Sequence, residues 1–228
     1  MRHQLVKELF IALKCFSAPN ILNIEVSDIR GLDQAVVCGG VTKIAVGSQY
    51  DSFVLAALCQ VLHCHTAFEF GTYLGEMAWL LAHNNPQVTI YTLDLPDINA
   101  VSTAKLKLTD PSYFKRWDRG AKFLQTPEQG RITQLFGDSA EFDFSPYRGR
   151  IDLVFIDASH SYGYVKSDTE AAFGMLSSRG TIVWDDYTHY PGIYAYLNEL
   201  SPQLERPLMH IRGTRLAIYS RQALVADD

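Results

Sequence analysis

The chain is poor in cysteine, with 4 in 228 residues, and none of them forms a C-x-x-C pair. A chain of this length buries enough apolar surface to fold without disulfides, so Cys15, Cys38, Cys59 and Cys64 read as reduced thiols of a cytoplasmic protein. Cys59, His63, Cys64 and His65 cluster, but no second ligand pair has zinc spacing and the segment is apolar. Uninterrupted apolar runs of membrane-spanning length are missing, so no transmembrane helix and no membrane partner are expected. The start, MRHQLVKELFIALKCF, has the basic and apolar character of a secretory signal, yet Lys7, Glu8 and Lys14 interrupt it and no small-x-small cleavage site follows. Leu5, Val6, Leu9, Phe10 and Leu13 fall instead at helical spacing and predict an amphipathic helix packed on the body of the protein. A basic surplus is also lacking. With 20 Lys+Arg against 25 Asp+Glu, the net charge of −5 argues against a partner held by nucleic-acid phosphates.

The nucleotide signatures G-x-G-x-x-G and G-x-x-x-x-G-K-[ST] and the G-x-S-x-G elbow are absent too. What is present is an alternation of helix and strand from about residue 50. Helices are predicted over 51–63, from Glu76 to His83, over 99–108, over 164–178 with Gly180 as its stop, and over 192–200. Strands are predicted at 67–70, 88–93, 131–136, 151–156 and 181–184, with a terminal pair at 208–211 and 215–219. Ile151-Asp-Leu-Val-Phe-Ile156 is nearly continuous in apolar residues, as a strand buried on both faces requires. Residues 1–50 form an N-terminal helical lead-in, and 51–228 one α/β domain. Residues 109–130, carrying Tyr113, Phe114, Arg116 and Trp117, interrupt the alternation, as a lid or acceptor-pocket wall or as a contact between copies of the chain.

Four strands place acids at or just past their carboxyl ends: Asp94, Asp138, Asp157 and the pair Asp185-Asp186. One such Asp is ordinarily a helix cap. Four of them point to a ligand site, because open parallel sheets bind ligands beyond the carboxyl ends of their strands. The first of these turns, Glu69-Phe-Gly71-Thr-Tyr73-Leu-Gly75, has glycines that let backbone approach a ligand closely. Asp94 follows about 20 residues later, where an acid can hold a ribose diol.

With these motifs, EFGTYLGEMAWLLA, FIDASHSYGYVKSD and VWDDY, the sequence resembles the class I S-adenosylmethionine-dependent methyltransferases, and more narrowly the metal-dependent catechol- and macrocin-type O-methyltransferases, over about residues 40–220. The resemblance implies a Rossmann-like, doubly wound, mostly parallel seven-stranded sheet with an antiparallel C-terminal strand and helices on both faces. It implies that Glu69, Gly71, Tyr73 and Gly75 line the methionine end of S-adenosylmethionine, Asp94 the ribose, and Asp138 and Ser139 the adenine edge. The catechol type has serine where Met77 stands here. Asp157, Asp185 and Asp186 match the ligands of Mg²⁺ or another divalent cation, with Asp157 also serving the cofactor rim and catalysis. His160 occupies the offset of the catalytic base, a lysine in the catechol type and a histidine in the macrocin type; His189 is the weaker candidate. The expected partner is a small-molecule hydroxyl acceptor, a sugar or a phenolic or diol natural product, with self-association left open. Three other readings stand beside this one: a nicotinamide oxidoreductase, a cofactor-binding protein without catalysis, and a methyltransferase acting on protein or nucleic acid.

Overall fold

The computed structural model describes residues 6, 9, 13, 19–39, 46–97, 99–100, 104–108 and 119–225. Within them eight strands form one sheet: β1 (Leu22–Ile24), β2 (Thr66–Phe70), β3 (Thr89–Asp94), β4 (Ile132–Phe136), β5 (Ile151–Ile156), β6 (Leu176–Trp184), β7 (Met209–Ile211) and β8 (Ala217–Ser220). Their spatial order is β1-β7-β8-β6-β5-β2-β3-β4. Every neighbouring pair is parallel except those made by β8, which runs against both β6 and β7. The order reverses between β2 and β5, and that switch point is where a doubly wound sheet opens its crevice.

Among the described residues, four helices are bounded at both ends and flank the sheet: α1 (Val46–Val61), α2 (Glu76–Asn84), α3 (Tyr162–Met175) and α4 (Pro191–Leu200). The alternation of strand side chains assigns each helix a face. Ala67, Leu153, Phe155 and Val183 pack with Leu55 and Leu58 of α1 and Leu81 of α2. Their sequence neighbours Phe68, Val154, Ile156, Ile182 and Trp184 pack with Val165 and Met175 of α3 and with Ile193 and Leu197 of α4. β5 is buried at all six positions, as its apolar run requires.

The structure departs from the sequence expectations in four places. The sheet has eight strands rather than seven, because Leu22–Ile24 of the lead-in pairs with β7 as an extra edge. α3 ends at Met175, and Gly180 lies inside β6 rather than stopping a helix. The pairing of β5 with β6 skips from Ile151↔Leu176 to Leu153↔Thr181, and a Cβ on Gly180 would stand 2.7 Å from Leu176 and 2.9 Å from the Ile151 carbonyl. Gly180 therefore serves a bulge. Residues 104–108, expected to close a helix, are bends and coil. Of the N-terminal stretch, Val6, Leu9 and Leu13 are helical as expected, but their side chains are exposed rather than packed. Tyr113, Phe114, Arg116, Trp117, Leu5, Phe10 and Cys15 lie outside the described residues. Among the described residues, no helix is long and apolar enough to cross a membrane.

Candidate active site

The carboxyl ends of β4, β3, β2, β5 and β6 are consecutive across the sheet, so Asp138, Asp94, the Gly71–Gly75 turn, Asp157 and Asp185-Asp186 form one row. At the centre, Gly71 has φ 94° and Gly75 φ 79°. What comes close to them is protein. A Cβ on Gly71 would stand 2.0 Å from the Asp157 carbonyl oxygen, and one on Gly75 would stand 2.6 Å from the Phe123 ring. The glycine turn is thus the joint that brings β2 against the Asp157 turn and docks the described part of the 109–130 excursion: Gly120 and Lys122 donate amide bonds to the Tyr73 and Leu74 carbonyls, each at 3.0 Å. Tyr73 itself has φ 46° and is 38% exposed.

Glu69 lies beneath this turn, 2% exposed. A chain of hydrogen bonds reaches it: Gln134 Nε2 donates to Thr72 Oγ1 at 2.9 Å, the Thr72 and Thr92 hydroxyls are 2.7 Å apart, and Thr92 donates to Glu69 Oε2 at 2.5 Å. Burial pushes the Glu69 carboxyl up to about 8, and the charges of Asp157 and Asp94 add to that, while the Thr92 bond opposes it. Glu69 is therefore a buried acid behind the turn rather than an open wall residue.

On the β3 side, Asp94 accepts the Leu95 amide on Oδ1 at 2.7 Å and the Tyr73 amide on Oδ2 at 2.9 Å. Arg119 Nε lies 3.3 Å from the same Oδ2. Burial raises the Asp94 carboxyl above its ordinary range, and Arg119 and the two amides partly offset this. Asp138, at the outer end of the row, accepts the Lys105 amide at 2.6 Å, the Ala140 amide at 2.9 Å and the Tyr164 hydroxyl at 3.0 Å. Ser139 follows it, beside the fully buried Asp168 of α3.

On the other side of the turn, Asp157, His160 and Asp186 converge, with one candidate ligand atom from each lying within 4.8 Å of the others. Asp157 is open to solvent on one side. The protein packed around the rest of it, and then the charge of Asp186, push its carboxyl up to about 6. His160 Nε2 lies 3.2 Å from Asp186 Oδ2. The imidazole stacks on Tyr190 with centroids 3.9 Å apart at 13°. Ser161 caps α3 by accepting the Tyr164 amide, and Gly192 of α4 lies where a Cβ would be 2.5 Å from the His160 carbonyl. The His160 turn is thereby pinned between two helices. His189 is paired with the neighbouring Thr188 hydroxyl at 3.1 Å, and the convergent group does not include it.

Asp185, expected beside Asp157 and Asp186, is not brought into the convergent group. No lysine or arginine stands close to these acids in the sequence. The structure supplies one, Arg215, which contacts Asp51, Asp185 and Asp186. Antiparallel register explains it: Trp184 of β6 pairs with Ala217 of β8, so the residues after Trp184 lie against those before Ala217. Burial also pushes the Asp185 carboxyl well up, with Asp157 adding and Arg215 opposing. Burial acts upward on Asp186 as well, but His160 and Arg215 together hold it below the usual carboxylate range.

The donor chemistry suits a hard divalent cation, because two carboxylates can reach it and leave room for water or substrate oxygen. Among the described residues, the cysteine–histidine segment at 59–65 forms no metal-capable group, and Cys59 and Cys64 are buried.

A family model described as a methyltransferase domain matches residues 68–187. No curated protein matches the chain. Solved structures share its fold at low identity. A proposed caffeoyl-CoA O-methyltransferase from Staphylococcus aureus is 14% identical with a TM-score of 0.55, covering 95% of this chain and 99% of its own. The O-methyltransferase TomG from Streptomyces achromogenes, solved with SAM, is 12% identical at 0.51, covering 77% and 79%. The SAH-bound methyltransferase PaMTH1 from Podospora anserina is 18% identical at 0.50, covering 75% and 76%.

Proposed function

The chain belongs to the methyltransferase-domain family, and from that premise we propose that it is an S-adenosylmethionine-dependent O-methyltransferase acting on a hydroxyl of a small molecule. The observation that carries this reading is the linear order of the row. Asp138 and Asp94 sit on adjacent outer strands, the glycine turn lies at the centre, and Asp157, His160 and Asp186 lie beyond it. Strands are about 4.8 Å apart, so an extended nucleoside–amino-acid conjugate fits across the first three with its sulfonium at the edge of the last group.

In this reading Asp138 and Ser139 flank the adenine, Asp94 takes ribose hydroxyls, and the Gly71–Gly75 turn faces the methionine part. Tyr73, exposed on that turn, offers a ring face to the sulfonium charge. When bound, S-adenosylmethionine supplies an activated methyl group that needs an oxygen in line with it. The protein's contribution is largely placement. A divalent cation held by Asp157 and Asp186 would lower the pKa of an acceptor hydroxyl. His160, held against Asp186 and stacked on Tyr190, is the group positioned to take the hydroxyl proton. The net charge of −5 supports a small acceptor over nucleic acid. An intact acid–histidine group favours catalysis over a purely binding role, and the absence of G-x-G-x-x-G disfavours a nicotinamide reaction.

The test is calorimetric titration with S-adenosylhomocysteine and with NAD, followed by methyl transfer to a panel of phenols, catechols and sugars. Binding of the first and not the second is expected. Asp157→Ala is expected to abolish transfer while binding S-adenosylhomocysteine within about threefold of wild type, and His160→Ala to slow transfer by about 10²–10⁴. Full turnover by Asp157→Ala in chelator removes the cation from this reading.

A further inference from the structure

Asp185 and Asp186 are adjacent and share Arg215, yet only Asp186 also meets His160. Asp186, at φ 58°, presents Oδ2 to His160 at 3.2 Å and Oδ1 to Arg215 Nη1 at 2.5 Å. Asp185 uses Oδ1 to accept the Asp186 amide at 2.7 Å and Oδ2 to meet Arg215 Nη2 at 3.2 Å. Both oxygens of Asp185 are therefore engaged, and Asp185 lies outside the group in which Asp157, His160 and Asp186 converge; Asp186 is engaged on both oxygens as well, but keeps one of them inside that group, beside His160.

Arg215 is itself fixed. Its Nε lies 2.6 Å from Asp51 Oδ2, and its backbone amide donates to Asp51 Oδ1 at 3.2 Å. Its carbonyl accepts the Tyr187 amide at 2.9 Å. Asp51, on α1, is 3% exposed. Each of the three guanidinium nitrogens thus meets a different carboxylate. A planar fork held this way has no rotameric freedom to release one partner cheaply. Asp185, buried at 7% exposure, would leave its only described cationic partner if it turned toward a metal ion.

We infer that Arg215 is a positioning residue that withdraws Asp185 from the cation site, so that a divalent cation is held by Asp157 and Asp186 alone and completes its shell with water and acceptor oxygens. This rests on the cation reading of the preceding section and departs from the three-carboxylate set implied by sequence resemblance. Mg²⁺ is commonly held by one or two carboxylates while keeping several waters, and that leaves open positions for an acceptor. In this arrangement His160, held beside Asp186, acts on the acceptor proton. Arg215 would tune the cation through Asp185 and Asp186 without touching it, as residues behind a metal's ligands commonly do.

The experiment measures Mn²⁺ binding by calorimetry and by the electron paramagnetic resonance of free Mn²⁺, without turnover, in four proteins: wild type, Asp185→Asn, Arg215→Gln and the double variant. Asp157→Asn is the reference for a true ligand. Asp157→Asn is expected to weaken Mn²⁺ at least about tenfold, and Asp185→Asn in the wild-type background to change it by no more than about twofold. Arg215→Gln is expected to tighten Mn²⁺ by about tenfold, and adding Asp185→Asn is expected to erase that gain. The charge removed at position 185 is the same in both backgrounds, so the difference between its two effects reports ligation. An effect of Asp185→Asn in the wild-type background as large as that of Asp157→Asn overturns the inference, as do equal effects in both backgrounds. The first outcome remains decisive even if Arg215→Gln fails to fold. No Mn²⁺ binding in wild type or Arg215→Gln, or binding indifferent to Asp157→Asn, overturns the underlying cation reading instead.

Discussion

Arg119 and Tyr73 share one oxygen: the Arg119 Nε and the Tyr73 amide both approach Asp94 Oδ2, at 3.3 and 2.9 Å. The Leu95 amide already uses Oδ1. A carboxylate has about four acceptor positions, so three are filled before any ribose arrives. The open position is on Oδ1, so a diol that bonds both oxygens must displace Arg119 from Oδ2 or share it. Arg119→Ala is therefore expected to tighten S-adenosylhomocysteine by about two- to fivefold, and Asp94→Ala to weaken it at least about tenfold, since a charge-assisted bond contributes about 1.5–3 kcal/mol. Weaker binding by Arg119→Ala would make that arginine a cofactor contact rather than a competitor.

Glu69 gives a proton signal. Burial holds its carboxyl up to about 8, so at pH 7 it is largely protonated. A sulfonium and an ammonium arriving at the strand ends would favour its charged form and lower that value. Binding of S-adenosylmethionine at pH 7 is expected to release a proton, and the uncharged thioether of S-adenosylhomocysteine to release less. Calorimetry in buffers of different ionisation enthalpy measures both; equal, buffer-independent heats would refute the coupling.

Gly71 tests the joint between β2 and the Asp157 turn. With φ 94° and a backbone oxygen 2.0 Å from where a Cβ would stand, Gly71→Ala must displace Asp157 or strain the turn. The expected cost is at least about 3 kcal/mol, which in a domain of this size lowers Tm by about 6–12 °C. Transfer should fall with it. Gly75→Ala should be milder, because what it meets first is the Phe123 ring, which can shift. A thermal melt ranks the two.

Asp168 sets a pH dependence of stability. Burial, and then the charge of Asp138, raise its carboxyl from 3.8 to about 7, with the Ser139 hydroxyl opposing. The folded state therefore favours the neutral acid more than the unfolded chain does. No penalty exists below about pH 4; it grows as pH rises and is fully present above about pH 7. Asp168→Asn, which mimics the neutral acid, is expected to match wild type near pH 4 and to exceed it in Tm at pH 8. A constant difference across that range would place the effect elsewhere.

Much of this molecule is legible from its sequence, and the exceptions share a physical cause. β2 through β5 announce themselves through β-branched and aromatic runs, with an acid ending β3 and another within two residues after β4 and after β5. β1 is hidden because three residues with only Ile24 buried carry no alternation to read. The first half of β6 is hidden because Ser177, Ser178 and Arg179 are polar and continue a helical segment; only pairing with β5 makes them strand. Asp157 and Asp186 are readable from their places after strands and His160 from the family resemblance, and the three do converge. Arg215 is not, since its contact with Asp186 depends on the register of two antiparallel strands that local periodicity does not encode. The roles of the glycines shift for a similar reason. Sequence shows that Gly71 must be free of a side chain, but not that the Asp157 carbonyl is what takes the space.

The reversal of β8 has one more consequence. Each parallel strand in the sheet delivers to the rim only the residues that follow it, and those residues must also launch the next stretch of chain. The reversed strand delivers the residues that precede it, from a short hairpin turn with no such duty. Position 215 therefore sets the charge beside Asp185 and Asp186 from outside the parallel strands that carry Asp94 and Asp138, and it does so by tying Asp51 of α1 to the rim.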